Sequence, residues 1–249
     1  MDFSTPIYFV GDPHGLTNQV ACEIVARAPL PKAVVFLGDF DLEASFHTEV
    51  EPLTKAGVEV WWICGNHDTD HQLYYVRLFD NNRLIAFNLH GRVAEIAGVR
   101  VAGLGGVFKA RVWMPERDTH RKEVLRWQTR SAWLGANRAS TRWCDGLPLH
   151  LRDAIWPEDY DLLGRERADV LVCHEAPTSH KHGFAAIDVL AETIGASLVV
   201  HGHHHVDYEA KIADGKIRVM GVGLAGVRAL DGATLRRSVE SILGRVGGP

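Results

Sequence analysis

The feature of this sequence that most constrains its fold is a short apolar run that ends at once in a polar residue able to bind a cation. The run Ala33–Leu37 is followed by Gly38 and Asp39, and its continuous apolar character is typical of a parallel strand buried on both faces. Four further apolar runs end in the same way: Ile7–Val10, Val58–Cys64, Val170–Cys173 and Leu198–Val200. Because ligands of open α/β sheets bind at the carboxyl ends of the strands, we expect the functional site at this edge.

The polar residues recur at a regular distance along the chain. Asp39 lies 27 residues after Asp12, and Asn66 lies 27 residues after Asp39. Helical patterns over Leu16–Ala28 and Glu43–Ala56 fill the two intervals. This spacing is typical of successive βαβ units with parallel neighbouring strands, so the sequence predicts an α/β fold.

Composition narrows the class of protein. With 249 residues, of which 46% are hydrophobic and 23% charged, the chain can bury one core, so we expect a single domain over 1–249 with an insert at about 105–165. No apolar run reaches about 18 residues and no leader pattern is found, which favours a cytoplasmic protein without a membrane partner.

The four cysteines form no C-x-x-C pair and are expected to be buried small hydrophobes. A net charge of −4 argues against general coating of nucleic acid.

The motifs at the strand ends favour a metal site when they are taken together. The carboxylate and imidazole of Asp12 and His14 are close enough in sequence to hold one cation. Each residue also has a structural alternative: Asn66 as a turn residue, His67 as a loop histidine and Asp68 as a helix cap. Because all of them follow strands of the same expected sheet, the metal interpretation is the stronger one.

The complete set of motifs resembles the signature of the calcineurin-like metallophosphoesterases. The motifs stand in the family's order between positions 11 and 205: Asp12-Pro13-His14, Gly38-Asp39, Gly65-Asn66-His67-Asp68, His174 and Gly202-His203-His204-His205. The resemblance implies a two-sheet β-sandwich flanked by helices, with two divalent metal ions at the strand ends. It also implies a metal-dependent phosphoesterase.

The resemblance assigns the metal ligands residue by residue. The first ion would take Asp12, His14, Asp39 and His205. The second ion would take Asp39, Asn66, His174 and His203, so that Asp39 bridges the two. The remaining His201 and His204 would be structural. Carboxylate, amide and imidazole ligands without a thiolate suit Mn²⁺, which we favour, and also Fe²⁺, Zn²⁺ or Ni²⁺.

The expected chemistry follows from two ions roughly 3.5–4 Å apart. They would neutralise the phosphate oxygens and lower the pKa of a bridging water, whose hydroxide would attack phosphorus in line. His67 would protonate the leaving oxygen or stabilise the transferring phosphoryl group. An acid must hold that imidazole charged and oriented. The family often places it in G-D-x-x-D, but here the second Asp is one position early, so either Asp41 or Asp68 is expected to orient His67. The missing Arg-Gly of that motif counts against a protein Ser/Thr phosphatase.

The expected insert is basic and rich in tryptophan. Residues 100–142 carry ten basic and three acidic side chains, and five of the seven tryptophans lie between positions 113 and 156. A helix is predicted over Asp118–Leu134, closed by Gly135. Two interpretations stand: the aromatic rings stack nucleic-acid bases while the arginines meet phosphates, or the tryptophans of a solvated helical cap pack on the sandwich. In both, the insert is a lid that selects the substrate, and Arg111 is a candidate binding residue.

The substrate class is predicted less sharply. The stretch Gly103–Arg117 resembles a segment of RNA lariat debranching enzymes, which favours a phosphodiester or nucleotide-type substrate, with nucleotides and nucleic acids as candidate partners. The glycines of Gly103–Phe108 either cradle phosphate or form a tight turn. His180 and His182 either contact substrate phosphate or belong to a polar loop.

Three alternatives to this function remain. The first is a phosphomonoesterase, including a protein phosphatase. The second is a catalytically silent module that binds metal or a phosphorylated ligand, and the third is a nucleic-acid-binding module without chemistry.

The remaining elements are assigned from hydrophobic periodicity and turn residues. Strands are predicted at residues 84–89 and 93–103 around His90, and a hairpin over Val206–Ile212 and Lys216–Val222. Helices are predicted over Phe184–Gly195 and Asp231–Leu243, followed by a loose end at Gly244–Pro249.

Overall fold

The strands alternate their side chains between two hydrophobic layers, and this alternation builds a sandwich. The computed structural model describes residues 7–116, 122–144 and 146–239. Ile7 and Phe9 of the first strand pack in a core that also contains residues of the second sheet, whereas Val10 packs on the outer side with the helices. Successive side chains of a strand point to opposite faces, so a continuous apolar run buries both. Each fully buried Ile or Phe side chain contributes about 1.5–3 kcal/mol of transfer free energy.

The strands of the described ranges form two main sheets and one small one. In chain order they are β1 (Ile7–Val10), β2 (Ala33–Phe36), β3 (Glu59–Trp62), β4 (Arg92–Ile96), β5 (Val99–Leu104), β6 (Trp113–Met114), β7 (Val124–Leu125), β8 (Val170–Cys173), β9 (Leu198–His201), β10 (Tyr208–Ile212), β11 (Ile217–Gly221), β12 (Val227–Ala229) and β13 (Thr234–Arg236). The first sheet has the order β13-β12-β1-β2-β3 and the second the order β10-β11-β9-β8-β5-β4. Parallel pairing of β1, β2 and β3, and of β5, β8, β9 and β11, brings their carboxyl ends to one edge of each sheet.

Helices cover the outer faces of both sheets. The α-helices are α1 (Thr17–Val25), α2 (Phe46–Glu49), α3 (Glu51–Lys55), α4 (Gln72–Tyr75), α5 (Arg130–Ala136), α6 (Pro157–Leu163) and α7 (Ala185–Ile194). Side chains of α1, α2 and α3 pack on the first sheet, and those of α6 and α7 on the second. The expected two-sheet sandwich flanked by helices is therefore confirmed, and none of the helices in the described residues is long and apolar enough to span a membrane.

The two strands predicted within residues 84–103 lie at other positions along the chain in the structure. Residues Ile85–Phe87 form a 3-10 turn rather than a strand, and the hairpin consists of β4 and β5. Its turn is Ala97-Gly98, with φ values of 50° and 84°, the left-handed backbone that a two-residue hairpin loop needs. The turn had been expected at His90. The hairpin of β10 and β11 agrees with the prediction.

Three predicted helices also differ from the structure. The helix over Glu43–Ala56 is divided into α2 and α3, with Pro52 in the first turn of α3. Within Asp118–Leu134, residues 118–121 lie outside the described ranges, β7 pairs with β6, and α5 begins only after Thr129, whose hydroxyl accepts a hydrogen bond from the backbone N–H of Ala132 at 3.1 Å. The predicted closing helix contains β13 instead, because the turn at Asp231-Gly232 returns the chain onto β12. Residues 240–249, with the predicted loose end, lie outside the described ranges.

Candidate metal centre

The strand ends bring the predicted ligands to one place. Asp39 follows β2, His174 follows β8 and His203 follows β9, and one donor atom from each lies within 4.8 Å of the others. His14 Nε2 lies 3.2 Å from His205 Nε2 and 3.9 Å from Asp39 Oδ2. The two sheets thus place donors from the two ends of the chain side by side.

The backbone turns sharply at these residues. The φ values of Asp12, His14, Asp39, His203 and His205 are all positive, between 32° and 70°. A non-glycine residue in this region costs of order 1–3 kcal/mol, and such residues cluster at functional sites. The strain therefore coincides with the predicted ligands.

Two glycines make room for the cluster. A Cβ atom on Gly65 would lie 2.2 Å from Asp39 Oδ1 and 2.5 Å from His174 Cε1. A Cβ atom on Gly202 would lie 2.5 Å from Asp12 Oδ1. Both positions exclude any side chain, so these glycines let the donor groups converge.

His174 presents one nitrogen to two oxygen atoms. Its Nδ1–H donates to the carbonyl of Leu37 at 2.7 Å, while Nε2 lies 3.2 Å from Asp39 Oδ2 and 3.1 Å from Asn66 Oδ1. A neutral imidazole would direct a lone pair at these two acceptors, so a positive species must lie between them. Without a metal this species is a proton: burial lowers the pKa of His174, but Asp39 and Asp12 raise it to about 10. A divalent ion would take the place of that proton.

Asp12 is the best test of whether the residues fit a cation. It is fully buried, and neither of its carboxylate oxygens has a hydrogen-bond partner of full geometry among the described residues. The backbone N–H of His203 is directed toward this carboxylate, and Nδ1 of His174 lies 3.7 Å from Oδ1. Burial raises the pKa of Asp12 to about 6, which shows that a charge there is costly without compensation. A buried carboxylate of this kind is normally paired or bound to a metal. The orphaned oxygens and the Asp, Asn and His donors around them fit a divalent cation.

The prediction that Asp41 or Asp68 orients His67 was wrong. Asp68 is buried and its carboxylate accepts backbone N–H bonds from Gly65 at 2.7 Å, from Phe40 at 2.9 Å and from Asp39 at 3.1 Å. It ties the loops after β2 and β3 together and does not reach the imidazole. Asp41 Oδ2 lies 2.7 Å from His14 Nδ1, so it orients the expected ligand instead.

Asp70 holds His67, and sequence reasoning missed it. Asp70 Oδ2 lies 2.6 Å from His67 Nδ1, across a 3-10 turn that spans His67–Thr69. The His67 ring is 45% exposed and its centroid lies 5.3 Å from that of His14. Its backbone N–H donates to Asp39 Oδ1 at 2.8 Å. The i to i+3 spacing of His67 and Asp70 was the signal that could have identified this pair.

The remaining histidines of the last motif lie behind the cluster. His201 is buried, with Nε2 2.7 Å from the hydroxyl of Tyr208. His204 stacks on His180 with ring centroids 3.8 Å apart, and His182 lies beside both at 5.6–5.9 Å. His180 is itself buried. These contacts bring His180 and His182 to the histidine end of the site.

The glycine-rich turn lies at the start of the segment 105–165, at the edge of the site. Gly105 N–H donates to His90 Nδ1 at 3.1 Å and Gly106 N–H donates to the carbonyl of Cys64 at 2.7 Å. Gly106 has a φ of 84°. Because these amides already have partners, the structure supports the tight-turn interpretation over a phosphate cradle. The turn fixes the start of this segment against the end of β3.

Three of the five tryptophans between positions 113 and 156 pack inward. Trp113, Trp133 and Trp156 are buried in the hydrophobic cluster on the outer face of the second sheet. Several arginines of this segment are also engaged: Arg130 pairs with Glu158 and Asp159, Arg126 donates to Ala110, Arg142 to Leu134, and Arg111 Nη1 lies 3.2 Å from His150 Nε2. These contacts support the interpretation in which the segment packs on the sandwich.

The expectation for the cysteines holds for two of the four. Cys64 and Cys173 are buried, whereas Cys22 and Cys144 are exposed. None belongs to a group of candidate metal ligands in the parts of the chain that the structure describes.

Comparison with known proteins agrees with this fold. The sequence profile of the calcineurin-like phosphoesterases matches residues 5–207. An uncharacterized protein of Haemophilus influenzae strain Rd is 34% identical over 237 residues, which cover 94% of this chain and 98% of that protein. The crystal structure of TT1561 of Thermus thermophilus has a similar fold, with a TM-score of 0.53 and 18% identity over 91% of this chain and 95% of that chain. The chain belongs to the calcineurin-like phosphoesterase family.

Proposed function

We propose that the protein hydrolyses a phosphate ester with the help of two divalent metal ions at the converging strand ends. The observation that carries this proposal is the buried carboxylate of Asp12, whose two oxygens have no hydrogen-bond partner among the described residues, while Oδ1 lies 3.7 Å from Nδ1 of His174. Proteins of this family generally bind divalent metals. The cluster is therefore suited to the family's activity.

The proposed ligands are those assigned from the sequence. The first ion takes Asp12, His14, Asp39 and His205. The second takes Asp39, Asn66, His174 and His203. Support comes from the distances of 3.2 Å between His14 Nε2 and His205 Nε2 and between His174 Nε2 and Asp39 Oδ2. The hard oxygen and borderline nitrogen donors favour Mn²⁺, with Fe²⁺, Zn²⁺ and Ni²⁺ as alternatives.

Bound divalent ions would neutralise the phosphoryl oxygens and lower the pKa of a water molecule toward neutrality. Around them, Asp41 holds the ring of His14 through Nδ1 and the carbonyl of Leu37 holds that of His174, so each ring keeps Nε2 for the metal. Such outer contacts orient ligand rings and raise their basicity.

His67 is the proposed proton donor. Asp70 bonds Nδ1, which leaves Nε2 to give a proton to the ester oxygen as the bond from phosphorus to the leaving group breaks. The 45% exposure of the ring keeps it accessible to substrate. Asp70, rather than Asp41 or Asp68, is the positioning residue.

We further propose that the substrate is a phosphodiester or a nucleotide-type ester and that the segment 105–165 acts as a lid that selects it. In support, this segment starts at the site edge, where Phe108 N–H donates to Glu175 at 3.0 Å. Its cations Lys109 and Arg111 lie around His150, with Lys109 Nζ 2.8 Å from the His150 carbonyl oxygen. The ammonium of Lys109 is already paired with the buried carboxylate of Asp153 at 2.5 Å, so Arg111 is the cation proposed to meet a second phosphate substituent.

Two aryl phosphates test the proposal. Metal-free protein is loaded with Mn²⁺, and the hydrolysis of a bis-aryl and of a mono-aryl phosphate is measured with and without chelator. We expect chelator to abolish hydrolysis, Asp39→Asn to do the same, and the diester to be the faster substrate. Faster hydrolysis of the monoester would overturn the substrate class. Tight metal binding with no hydrolysis of either compound would favour a silent binding module and contradict the proposed activity.

A further inference from the structure

A second group of metal-binding side chains lies next to the proposed centre. Glu175, His203 and His204 each offer a donor atom, and these three atoms lie within 4.8 Å of one another. Glu175 and His204 have no part in the proposed pair of metal sites. The group is therefore a separate set of donors that shares only His203 with the catalytic cluster.

The surroundings hold these donors in place. Glu175 is buried, and its Oε1 accepts the backbone N–H of Phe108 at 3.0 Å, while Oε2 lies 3.9 Å from His203 Nε2. The ring of His204 is stacked on His180 at 3.8 Å with an angle of 18° between the planes. Neither donor group is on a loose surface chain.

His204 provides the second observation that points to a ligand. Its Nε2 atom is buried and has no hydrogen-bond partner among the residues that the structure describes. A buried imidazole nitrogen without a partner loses its hydrogen bond to water on folding and gains nothing in return. A cation bound at this nitrogen would remove that cost.

We propose that Glu175, His203 and His204 form a third, inhibitory divalent-cation site, for which Zn²⁺ is the best-suited ion. This inference rests on the proposed function. One carboxylate and two imidazoles with an open fourth position match the ligand number of three-residue zinc sites. Donors bound to one Zn²⁺ at about 2.0–2.2 Å lie roughly 3.4 Å apart in a tetrahedron, so shifts of roughly 1 Å would close these three around an ion.

The shared His203 is the reason for inhibition. Its ring is also within 4.8 Å of Asp39 and His174, where it is proposed to bind the second catalytic ion. A cation held by Glu175 and His204 draws the ring of His203 toward them and weakens its bond to the catalytic ion. The third site therefore fills only when Zn²⁺ exceeds the amount that the catalytic pair binds, and filling it lowers the rate.

Equilibrium dialysis against graded Zn²⁺, with bound metal counted by mass spectrometry, tests the site directly. The same samples are assayed with the bis-aryl phosphate. His204→Phe keeps an aromatic ring on His180 but removes both nitrogens, and Glu175→Gln keeps an acceptor for the Phe108 N–H but removes the charge. His47→Ala is the matched control, because His47 contacts Ser45 and the backbone of Arg83 away from the cluster.

We expect the wild type and His47→Ala to bind two tight equivalents and one weaker equivalent, with hydrolysis rising over the first two and falling with the third. His204→Phe and Glu175→Gln should weaken the third equivalent by about tenfold or more, and the fall in rate should move to correspondingly higher Zn²⁺. Two equivalents without a third, or a third that His204→Phe retains, overturns this inference and leaves the proposed function standing. A wild type that binds no tight pair overturns both.

Discussion

At the residue scale, two carboxylates orient two histidines that have different proposed roles. Asp41 Oδ2 lies 2.7 Å from Nδ1 of His14, and Asp70 Oδ2 lies 2.6 Å from Nδ1 of His67. His14 is a proposed metal ligand, whereas His67 is the proposed proton donor. Loss of the two carboxylates should therefore have distinguishable effects.

Asp70→Asn should lower kcat by about 10–100-fold with unchanged metal content, because the His67 ring loses the charge that orients it. Asp41→Asn should instead weaken metal binding by about 10–100-fold and recover near wild-type kcat in excess Mn²⁺. Bound metal and kcat are measured for both variants across a Mn²⁺ titration. Recovery of Asp70→Asn by excess metal would contradict the role assigned to Asp70.

Gly65→Ala should disrupt the centre, because the added Cβ would meet Asp39 Oδ1 at 2.2 Å and His174 Cε1 at 2.5 Å. We expect less bound Mn²⁺ and a lower melting temperature. Gly135→Ala is the matched control: Gly135 lies within α5 with no atom within 4 Å of an added Cβ. That change should raise the free energy of unfolding by about 0.5–1 kcal/mol, measured by urea titration. Equal metal content in the two variants would contradict the packing argument.

The polar residues at the shared sheet edge could be read from the sequence, because each follows a predicted strand, and the resemblance to a known family supplied their assignment as ligands. The partners of those residues could not. Asp70 contacts His67 through the local geometry of a 3-10 turn, and Asp68 accepts three backbone N–H groups from two loops. Neither contact has a signal in hydrophobic periodicity.

At the element scale, a charged cluster joins α5 and α6 to the start of the second sheet's first hairpin strand. Arg130 of α5 donates to both oxygens of Asp159 in α6, at 2.7 and 2.6 Å, and to Glu158 at 3.0 Å. His90, just before β4, lies 3.1 Å from Asp159. Burial raises the pKa of Asp159, but the hydrogen bonds from His90 and Arg130 outweigh it and hold this pKa well below the ordinary value of 3.8.

This cluster should make stability depend on pH. Because the pKa of Asp159 is lower in the folded protein, its stabilising contribution is complete above the ordinary value of 3.8 and is lost as the pH falls through the lower, folded value. Asp159→Asn should therefore be clearly destabilising at pH 7, and the difference from wild type should shrink as the pH falls below 3.8. Urea unfolding of both proteins at several pH values measures this. A difference that stays constant down to pH values below 3.8 would contradict the linkage.

Strands that are buried on both faces could be predicted from the sequence. Elements that form only because they pair with a residue elsewhere in the chain could not. β1, β2, β8 and β9 follow directly from continuous apolar runs. The short strand β7 exists because Val124 and Leu125 pair with Met114 and Trp113, and no local pattern marks it. The spacing of hydrophobic residues from 118 to 134 is compatible with one continuous helix as well as with a strand followed by α5. Only the Thr129 cap marks where α5 begins.

At the scale of the whole molecule, the proposed centre would link metal binding to stability. Because the proposed ligands follow strands of both sheets, bound ions would hold the two sheets together at this edge and would give Asp12 a partner, which its carboxylate lacks among the described residues. At a free Mn²⁺ concentration 100 times the Kd, binding stabilises the folded state by about 2.7 kcal/mol. For a chain of this size we expect a rise in melting temperature of about 5–10 °C. Calorimetry with and without chelator measures it, and Asp39→Asn should show little shift.

The central claim is that two ions share the carboxylate of Asp39 at the meeting point of the strand ends. Anomalous scattering from a crystal of the Mn²⁺-loaded protein tests this most directly. The account predicts two manganese peaks about 3.5–4 Å apart, with Asp39 bound to both, Asp12 at one and His174 at the other. A map with no peak among these residues, or with peaks to which Asp39 does not bind, would contradict it.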